Sequence, residues 1–195
     1  MGDFPKYGMP FEPGEFYHVY NSAVGNEKLF STTDNYRYFL DRFHFYTRNF
    51  LTVYSFCLVN NHFHFLIEID DSVGNDEISE QMRKLFISYA KAYNREQKRQ
   101  GTLFNKHLKR VVIESDEQLI WTLYYIHRNP LHHFLTADYQ GYPWSSFQIL
   151  LSDKPTKLLR SKVLDLFSGK KNFIKFHERN IEEDILRKKI HLLES

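Results

Sequence analysis

The sequence contains a single cysteine, Cys57, so the chain cannot form an internal disulfide. This scarcity favours a reducing compartment, and we expect a cytoplasmic protein. No apolar run is long enough to span a bilayer, and the first residues lack the apolar stretch of a signal peptide. The net charge is only +2, which by itself predicts no nucleic-acid partner. Any such partner must be argued from local clusters of charge.

The composition is that of an ordinary globular protein with many aromatic residues. Of 195 residues, 42% are hydrophobic and 26% are charged, which suits one domain with an appendage. We expect a catalytic domain over residues 1–150 and a charged, helical extension over residues 151–195. The chain has 18 Phe, 13 Tyr and 2 Trp. Most of these rings belong in the core, but some remain that can stack on nucleic-acid bases.

Hydrophobic periodicity predicts alternating strands and helices. The order is strand, helix, strand, strand, helix, strand, followed by a further helix. This order is typical of a ferredoxin-like α+β fold, in which one antiparallel sheet carries two helices on one face. Pro130 is expected to stop the last helix. The predicted strands cover 15–24, 51–59, 62–69 and 102–115, and the later helices cover 76–99 and 116–129.

The strand HFHFLIEI carries two histidines two residues apart. Side chains alternate along a strand, so His62 and His64 project from one face, and Phe63 and Phe65 from the other. The phenylalanine face belongs against the two helices, which predicts that the histidine face is open. Two neutral imidazoles so placed can share one divalent metal. An isolated pair of this kind is more often two solvated histidines, so it needs support from elsewhere in the chain.

The helix that ends in YYIHRNP supplies that support. Tyr125 and Asn129 are four residues apart and therefore lie on the same helix face. An Asn carbonyl is a good oxygen ligand for a hard cation, and a tyrosine one turn away is placed to attack a group bound to that cation. Tyr124 is the competing nucleophile. It shares a face with Arg128 and is expected to pack in the core.

A basic segment, KHLKR, opens the last predicted strand. Strand alternation puts Lys106 and Arg110 on one face and Lys109 on the other. Further cationic residues follow the tyrosine helix, and the whole set is predicted to line a phosphate track. A solvated run of charge is the competing interpretation. The candidate DNA-binding residues are Lys106, Lys109, Arg110, Arg128, His132 and His133.

Six motifs occur in a fixed order along the chain. They are FYHVYN at 16–21, CLVNNHFHFLI at 57–67, SYAKAYN at 88–94, GTLFNKHLKR at 101–110, YIHRNP at 125–130 and YPWSSF at 142–147. With these motifs the chain resembles the single-tyrosine transposases of insertion sequences that carry a His–hydrophobic–His (HUH) motif, and most closely their REP-associated tyrosine transposase relatives. Many relatives have Gly where this chain has Phe134.

This resemblance implies a reaction and a site. The family fold is ferredoxin-like, and its HUH pair, here His62 and His64, holds Mg²⁺ or Mn²⁺. By position, Tyr125 is the nucleophile and Asn129 the third ligand. The implied reaction cuts and rejoins single-stranded or hairpin DNA through a 5′-phosphotyrosine. The resemblance leaves open whether the protein is a monomer or a homodimer.

Three other functions compete with this one. A domesticated relative would bind DNA hairpins without cleaving them. An RNA-binding module of the RRM type would stack bases on aromatic residues of an exposed sheet. A replication initiator or relaxase would use the same chemistry without the ordered motifs.

Overall fold

A computed structural model describes residues 9–190, apart from the side chains of Glu183, Asp184 and Arg187. The first eight residues of the predicted catalytic domain and the last five of the predicted extension fall outside the described residues. The elements are β1 (Phe16–Ser22), α1 (Thr33–Thr47), β2 (Leu51–Val59), β3 (His62–Ile69), α2 (Asn75–Glu96), β4 (Lys109–Ile113), α3 (Asp116–His132), α4 (Phe147–Leu151), α5 (Arg160–Leu166), α6 (Lys170–His177) and α7 (Glu183–Lys189).

The four strands form one antiparallel sheet in the order β2-β3-β1-β4. This confirms the ferredoxin-like α+β fold, because β1 and β3 take the centre and the β2–β3 hairpin takes one edge. The face that carries Phe63 and Phe65 packs against α1 and α2, where Phe39 and Tyr89 join the same buried cluster. The Phe43 and Phe65 rings stack with their centroids 4.0 Å apart.

Several predicted boundaries differ by one to three residues, such as the end of α2 at Glu96 instead of 99, and two errors have a clear physical reason. The last strand covers only Lys109–Ile113 instead of 102–115. Before it, the chain makes an isolated bridge between Ala23 and Phe104 and is otherwise irregular. The second error concerns α3, which continues through Pro130 to His132. Pro130 lies in the last turn, where its missing N–H removes one hydrogen bond without ending the helix.

The helices after residue 150 pack against α3 rather than standing apart. Five buried apolar side chains from α5, the turn after it, α6, α7 and the residue that follows α7 share one cluster with Tyr124 and Leu123 of α3. The helical tail predicted from the sequence is therefore confirmed, and it covers the outer side of α3. These five side chains are Val163, Phe167, Phe173, Leu186 and Ile190.

A chain of buried hydrogen bonds joins this tail to α3 and the sheet. His177 Nδ1 donates to the Phe173 carbonyl at 2.9 Å, so His177 Nε2 must accept from His127 Nδ1, also at 2.9 Å. His127 Nε2 then accepts from the Ser146 hydroxyl at 2.8 Å. The Ser146 oxygen in turn accepts from the Phe56 amide at 2.9 Å. In this series of hydrogen bonds, every ring nitrogen of His127 and His177 has a partner when both histidines are neutral.

The free energy of unfolding is expected to fall as the pH drops below about 6.5, the ordinary histidine pKa. Burial lowers the pKa of His177 to about 4 and that of His127 well below its usual range. Between these values the unfolded chain binds protons that the folded chain excludes, so acid favours unfolding. For each such histidine, the free energy of unfolding falls by about 1.4 kcal/mol for every unit that the pH drops within this range.

Urea unfolding measured between pH 7.5 and about 5 checks this prediction, because Asp and Glu side chains stay largely ionised over that range. His107→Gln, at an exposed position, is the control and should keep the slope of the parent chain. An unfolding free energy that is flat across the range would contradict the neutral state of the His127–His177 pair.

Among residues 9–190, no helix combines the length and the apolar character needed to cross a membrane.

Candidate active site

The candidate site lies on the sheet face opposite α1 and α2. His62 and His64 project from β3 onto this face, as predicted, with their ring centroids 5.0 Å apart. Strand β1 adds His18 and Tyr20, because Tyr20 is paired with His64 in the antiparallel register. The Tyr20 ring stacks on both His18 and His64, at centroid distances of 5.0 and 5.4 Å. Sequence analysis did not select His18 and Tyr20, although their alternation in FYHVYN places them on one face.

The histidine face is covered, not open as the sequence predicted. Helix α3 follows β4 directly and packs across this face, so His62 is 9% exposed and His64 4%. The reason lies in α3 itself, which is buried almost all round. A helix with apolar residues on every side is buried on every side, and α3 buries one of its sides against the sheet.

Helix α3 brings Tyr125 and Asn129 onto the histidines. Tyr125 is 3% exposed and Asn129 is fully buried. The Tyr125 ring centroid lies 5.6 Å from that of His64 and 5.9 Å from that of His18. One turn further along the helix, Asn129 Oδ1 is 2.8 Å from His62 Nε2. The structure therefore places all four predicted site residues together within one chain.

The surroundings of His62 contain a conflict between acceptors. Its Nδ1 is 2.8 Å from Asn61 Oδ1 and its Nε2 is 2.8 Å from Asn129 Oδ1. A neutral imidazole has only one N–H, and burial, together with the nearby His133, lowers the pKa of His62 to about 3. If Nδ1 donates to Asn61, two lone pairs face each other at Asn129. Rotating the Asn129 amide removes this conflict, as does a cation held between the two atoms.

His18 contacts the second histidine of the pair. His18 Nε2 and His64 Nδ1 are 2.9 Å apart in a fully buried contact. One of the two nitrogens must carry the proton, so the tautomers of the rings are coupled. When His64 Nδ1 donates, His64 Nε2 retains its lone pair. A partner on the far nitrogen of a metal-binding imidazole commonly fixes the ring in this way.

The predicted DNA-binding residues divide into three groups. His132 and His133 lie beside the site, with ring centroids 5.7 Å from Tyr125 and 4.3 Å from His62 respectively. Lys109 also faces this side, with Nζ 5.7 Å from the Tyr20 ring centroid. Lys106 and Arg110 lie elsewhere, at a cavity on the opposite face of the sheet.

Arg128 forms the third group, because it is buried instead of facing a phosphate track. Its Nη1 donates to the His177 carbonyl at 3.2 Å. Its guanidinium lies over the rings of Tyr124 and Tyr139, 5.2 and 4.9 Å from their centroids. Tyr124 is fully buried, and its hydroxyl donates to the Arg179 carbonyl at 2.5 Å. Both side chains hold the tail against α3, and Tyr124 packs as the sequence predicted.

The turn after α3 carries one unusual residue. Phe134 has a left-handed backbone with φ of 54°, and its side chain is 96% exposed. Glycine adopts this conformation without strain, whereas it is uncommon for a bulky residue such as phenylalanine. The Phe134 ring lies on the surface, directly after His133 in the chain.

Comparisons with known proteins support the fold assignment. No protein-family profile and no curated protein matches the sequence significantly. The solved structure of a REP-associated tyrosine transposase bound to a REP hairpin is similar, with a TM-score of 0.64. The match covers 93% of this chain and 100% of that one, at 15% sequence identity. The resemblance that the motifs predicted therefore extends to the fold along nearly the whole chain.

Proposed function

We propose that this protein cuts and rejoins one strand of single-stranded or hairpin DNA, with Tyr125 as the nucleophile. One observation carries the proposal: α3 places Tyr125 and Asn129, one turn apart, directly against the His62–His64 pair. A structural role alone does not require a buried tyrosine, an amide and two histidines to converge on one face. The similar fold of a hairpin-bound tyrosine transposase supports the choice of DNA.

The proposed reaction is a phosphoryl transfer to tyrosine. The Tyr125 oxygen attacks the scissile phosphorus, a Tyr–O–P bond forms, and the bond from phosphorus to the 3′ oxygen breaks. The phenol gives up its proton to a base, and the departing 3′ oxygen takes one up, which leaves a 5′-phosphotyrosine and a 3′-hydroxyl. A second 3′-hydroxyl can reverse the step and join a new strand. No nucleotide cofactor is needed, because one phosphodiester replaces another.

The donor set fits one divalent cation, Mg²⁺ or Mn²⁺, held by His62, His64 and Asn129. Two ligands on one octahedral Mg²⁺ lie about 3 Å apart, close to the 2.8 Å between His62 Nε2 and Asn129 Oδ1. Such a cation would polarise the scissile phosphate and stabilise the charge that develops on its oxygens. Asn61 and His18 hold the far nitrogens of the two rings. Across residues 9–190, no cluster of three or more His, Cys, Asp or Glu side chains is placed to bind a metal, so we assign the third ligand position to the Asn129 amide oxygen.

Access to the site sets a further requirement. Tyr125, His62, His64 and Asn129 are each less than 10% exposed. A phosphodiester therefore reaches them only when neighbouring side chains move aside. At the end of α3, His132 is half-buried and His133 is exposed, and both lie next to the site. We place the entry for DNA at this end of the helix, where Phe134 is also exposed.

An RNA-binding module of the RRM type is disfavoured by the position of α3. Such modules stack bases on an exposed sheet. In this chain, one face of the sheet packs against α1 and α2 and the other against α3. A protein that binds hairpins without cleaving them remains the main alternative, because it would share the fold and the surface.

A covalent-capture assay tests the proposal. The full chain is incubated with a library of DNA hairpins whose unpaired flanks are randomised, with Mn²⁺, Mg²⁺ or EDTA. We expect a protein–DNA adduct that survives SDS, requires the metal and carries a 5′-linked strand. Sequencing the captured strands identifies the cleaved step. Hairpin binding without any adduct, in either metal, would reject the cleavage reaction and favour the non-cleaving alternative.

A further inference from the structure

A second concave site lies on the opposite side of the sheet, at the free edge of β4. Its cavity of about 450 Å³ opens between α2 and the irregular segment 101–108. Met82, Phe86 and Phe104 give it apolar walls. This volume lies within the range of small-molecule and nucleotide pockets, and mixed apolar and polar walls are typical of them. The chemistry proposed for Tyr125 makes no use of this cavity.

Arg110 gives the cavity an unsatisfied charge. Its guanidinium lies 4.1 Å from the centroid of the Phe11 ring. Its Nε and Nη1 atoms are buried, and no described residue accepts a hydrogen bond from either. Buried donor atoms without acceptors are costly even on a half-buried side chain, and burial lowers the pKa of Arg110. An acceptor supplied by a ligand would remove that cost, and the forked N–H groups suit a phosphate or the edge of a base.

The charge of the lining favours an anion. Lys106 and His107 line the cavity together with Arg110, and no Asp or Glu is among its described lining residues. Arg83 also lines it, but its charge is already paired with Glu80 at 2.7 Å. Aromatic and apolar walls combined with cations and no acid are the features of proteins that stack bases and follow the backbone of a single strand. A nucleotide satisfies both parts, with its base against the apolar wall and its phosphate near the cations.

The cavity is also reachable from the active site. Lys109 and Arg110 are neighbours on β4 and therefore point to opposite faces of the sheet. Lys109 lies beside Tyr20, which stacks on His64, whereas Arg110 enters the cavity. Strand β4 is an edge of the sheet, so a DNA strand can pass around it from one face to the other.

We propose that this cavity binds one unpaired nucleotide of the DNA, next to the segment that Tyr125 cleaves. This inference rests on the proposed function for the identity of the ligand. It assigns Lys109 and Arg110 to consecutive stretches of one strand that crosses the edge of β4. In this proposal, segment 101–108 forms one wall of the nucleotide pocket.

Fluorescence anisotropy with two labelled hairpins of the same stem tests this site. One hairpin carries short unpaired flanks and the other is blunt. Arg110→Gln is expected to weaken binding of the flanked hairpin about tenfold and to leave the blunt hairpin unchanged. Ala90→Met, which fills part of the cavity without changing charge, is expected to act in the same direction. Arg37→Gln, at an exposed position of α1 outside the cavity, is the charge-matched control.

The outcomes separate this site from the cleavage chemistry. Equal binding of the flanked hairpin by Arg110→Gln, Ala90→Met and the parent chain would overturn the nucleotide site. So would an equal loss for flanked and blunt hairpins, because that result indicates a general electrostatic effect. If the parent chain forms no adduct but Arg110→Gln still loses the preference for flanks, the nucleotide site stands and only the proposed cleavage fails.

Discussion

Tyr125→Phe is expected to reduce the covalent protein–DNA adduct by at least about 10³-fold while leaving hairpin binding within about twofold of the parent chain. The substitution removes one oxygen and keeps the ring that packs against His18 and His64. The fold of the site should therefore survive. Adduct formation is measured on denaturing gels, and hairpin affinity is measured in parallel by anisotropy. Loss of the adduct with retained binding is the expected pattern.

Tyr124→Phe is the matched control, because it removes the same atom one residue away. The Tyr124 hydroxyl donates to the Arg179 carbonyl in the contact between α3 and the tail. Its loss should cost about 1–2 kcal/mol of stability and spare the adduct. If Tyr124→Phe lost the adduct and Tyr125→Phe kept it, the nucleophile would be misassigned by one residue.

The sequence predicts the fold well because the two periodicities are clear. Phe63 and Phe65 alternate on β3, and Phe39 and Phe43 recur at helical spacing on α1, so sheet and helix faces can be matched before any contact is known. Predicting that His62 and His64 are covered requires one more inference, from the pattern of α3. The run LIWTLYYI in α3 is apolar around the helix, which predicts burial on two sides. Following that pattern would have predicted a closed histidine face.

Other features depend on contacts between distant segments and cannot be predicted from local patterns. His18 reaches His64 because β1 pairs with β3 in one register, and nothing within either strand fixes that register. Arg128 is buried because the His177 carbonyl, 49 residues away in sequence, accepts its hydrogen bond. Lys106 leaves the strand because Asn105 bonds back to Ser22 and Ala23. In each case a tertiary contact overrides the local expectation.

His62→Gln and His64→Gln are each expected to lose metal-dependent cleavage by at least about 10²-fold. Each removes an imidazole nitrogen from the proposed donor set and leaves Tyr125 in place. Glutamine retains a polar side chain near Asn129, which limits the disturbance to the buried site. His44→Gln, on α1 away from the site, is the control and should cleave like the parent chain. Cleavage is measured over a range of Mn²⁺ concentrations and after addition of EDTA.

A direct measurement of Mn²⁺ binding by calorimetry separates loss of the ligand from loss of the fold. We expect the parent chain and His44→Gln to bind one Mn²⁺ per chain. In His62→Gln and His64→Gln, binding should weaken at least about tenfold, with far-UV circular dichroism unchanged. Full cleavage by the parent chain in EDTA would contradict the role of a metal. Unchanged Mn²⁺ affinity in both variants would instead place the cation away from the histidine pair, and the conflict between His62 Nε2 and Asn129 Oδ1 would then be relieved by rotation of the amide.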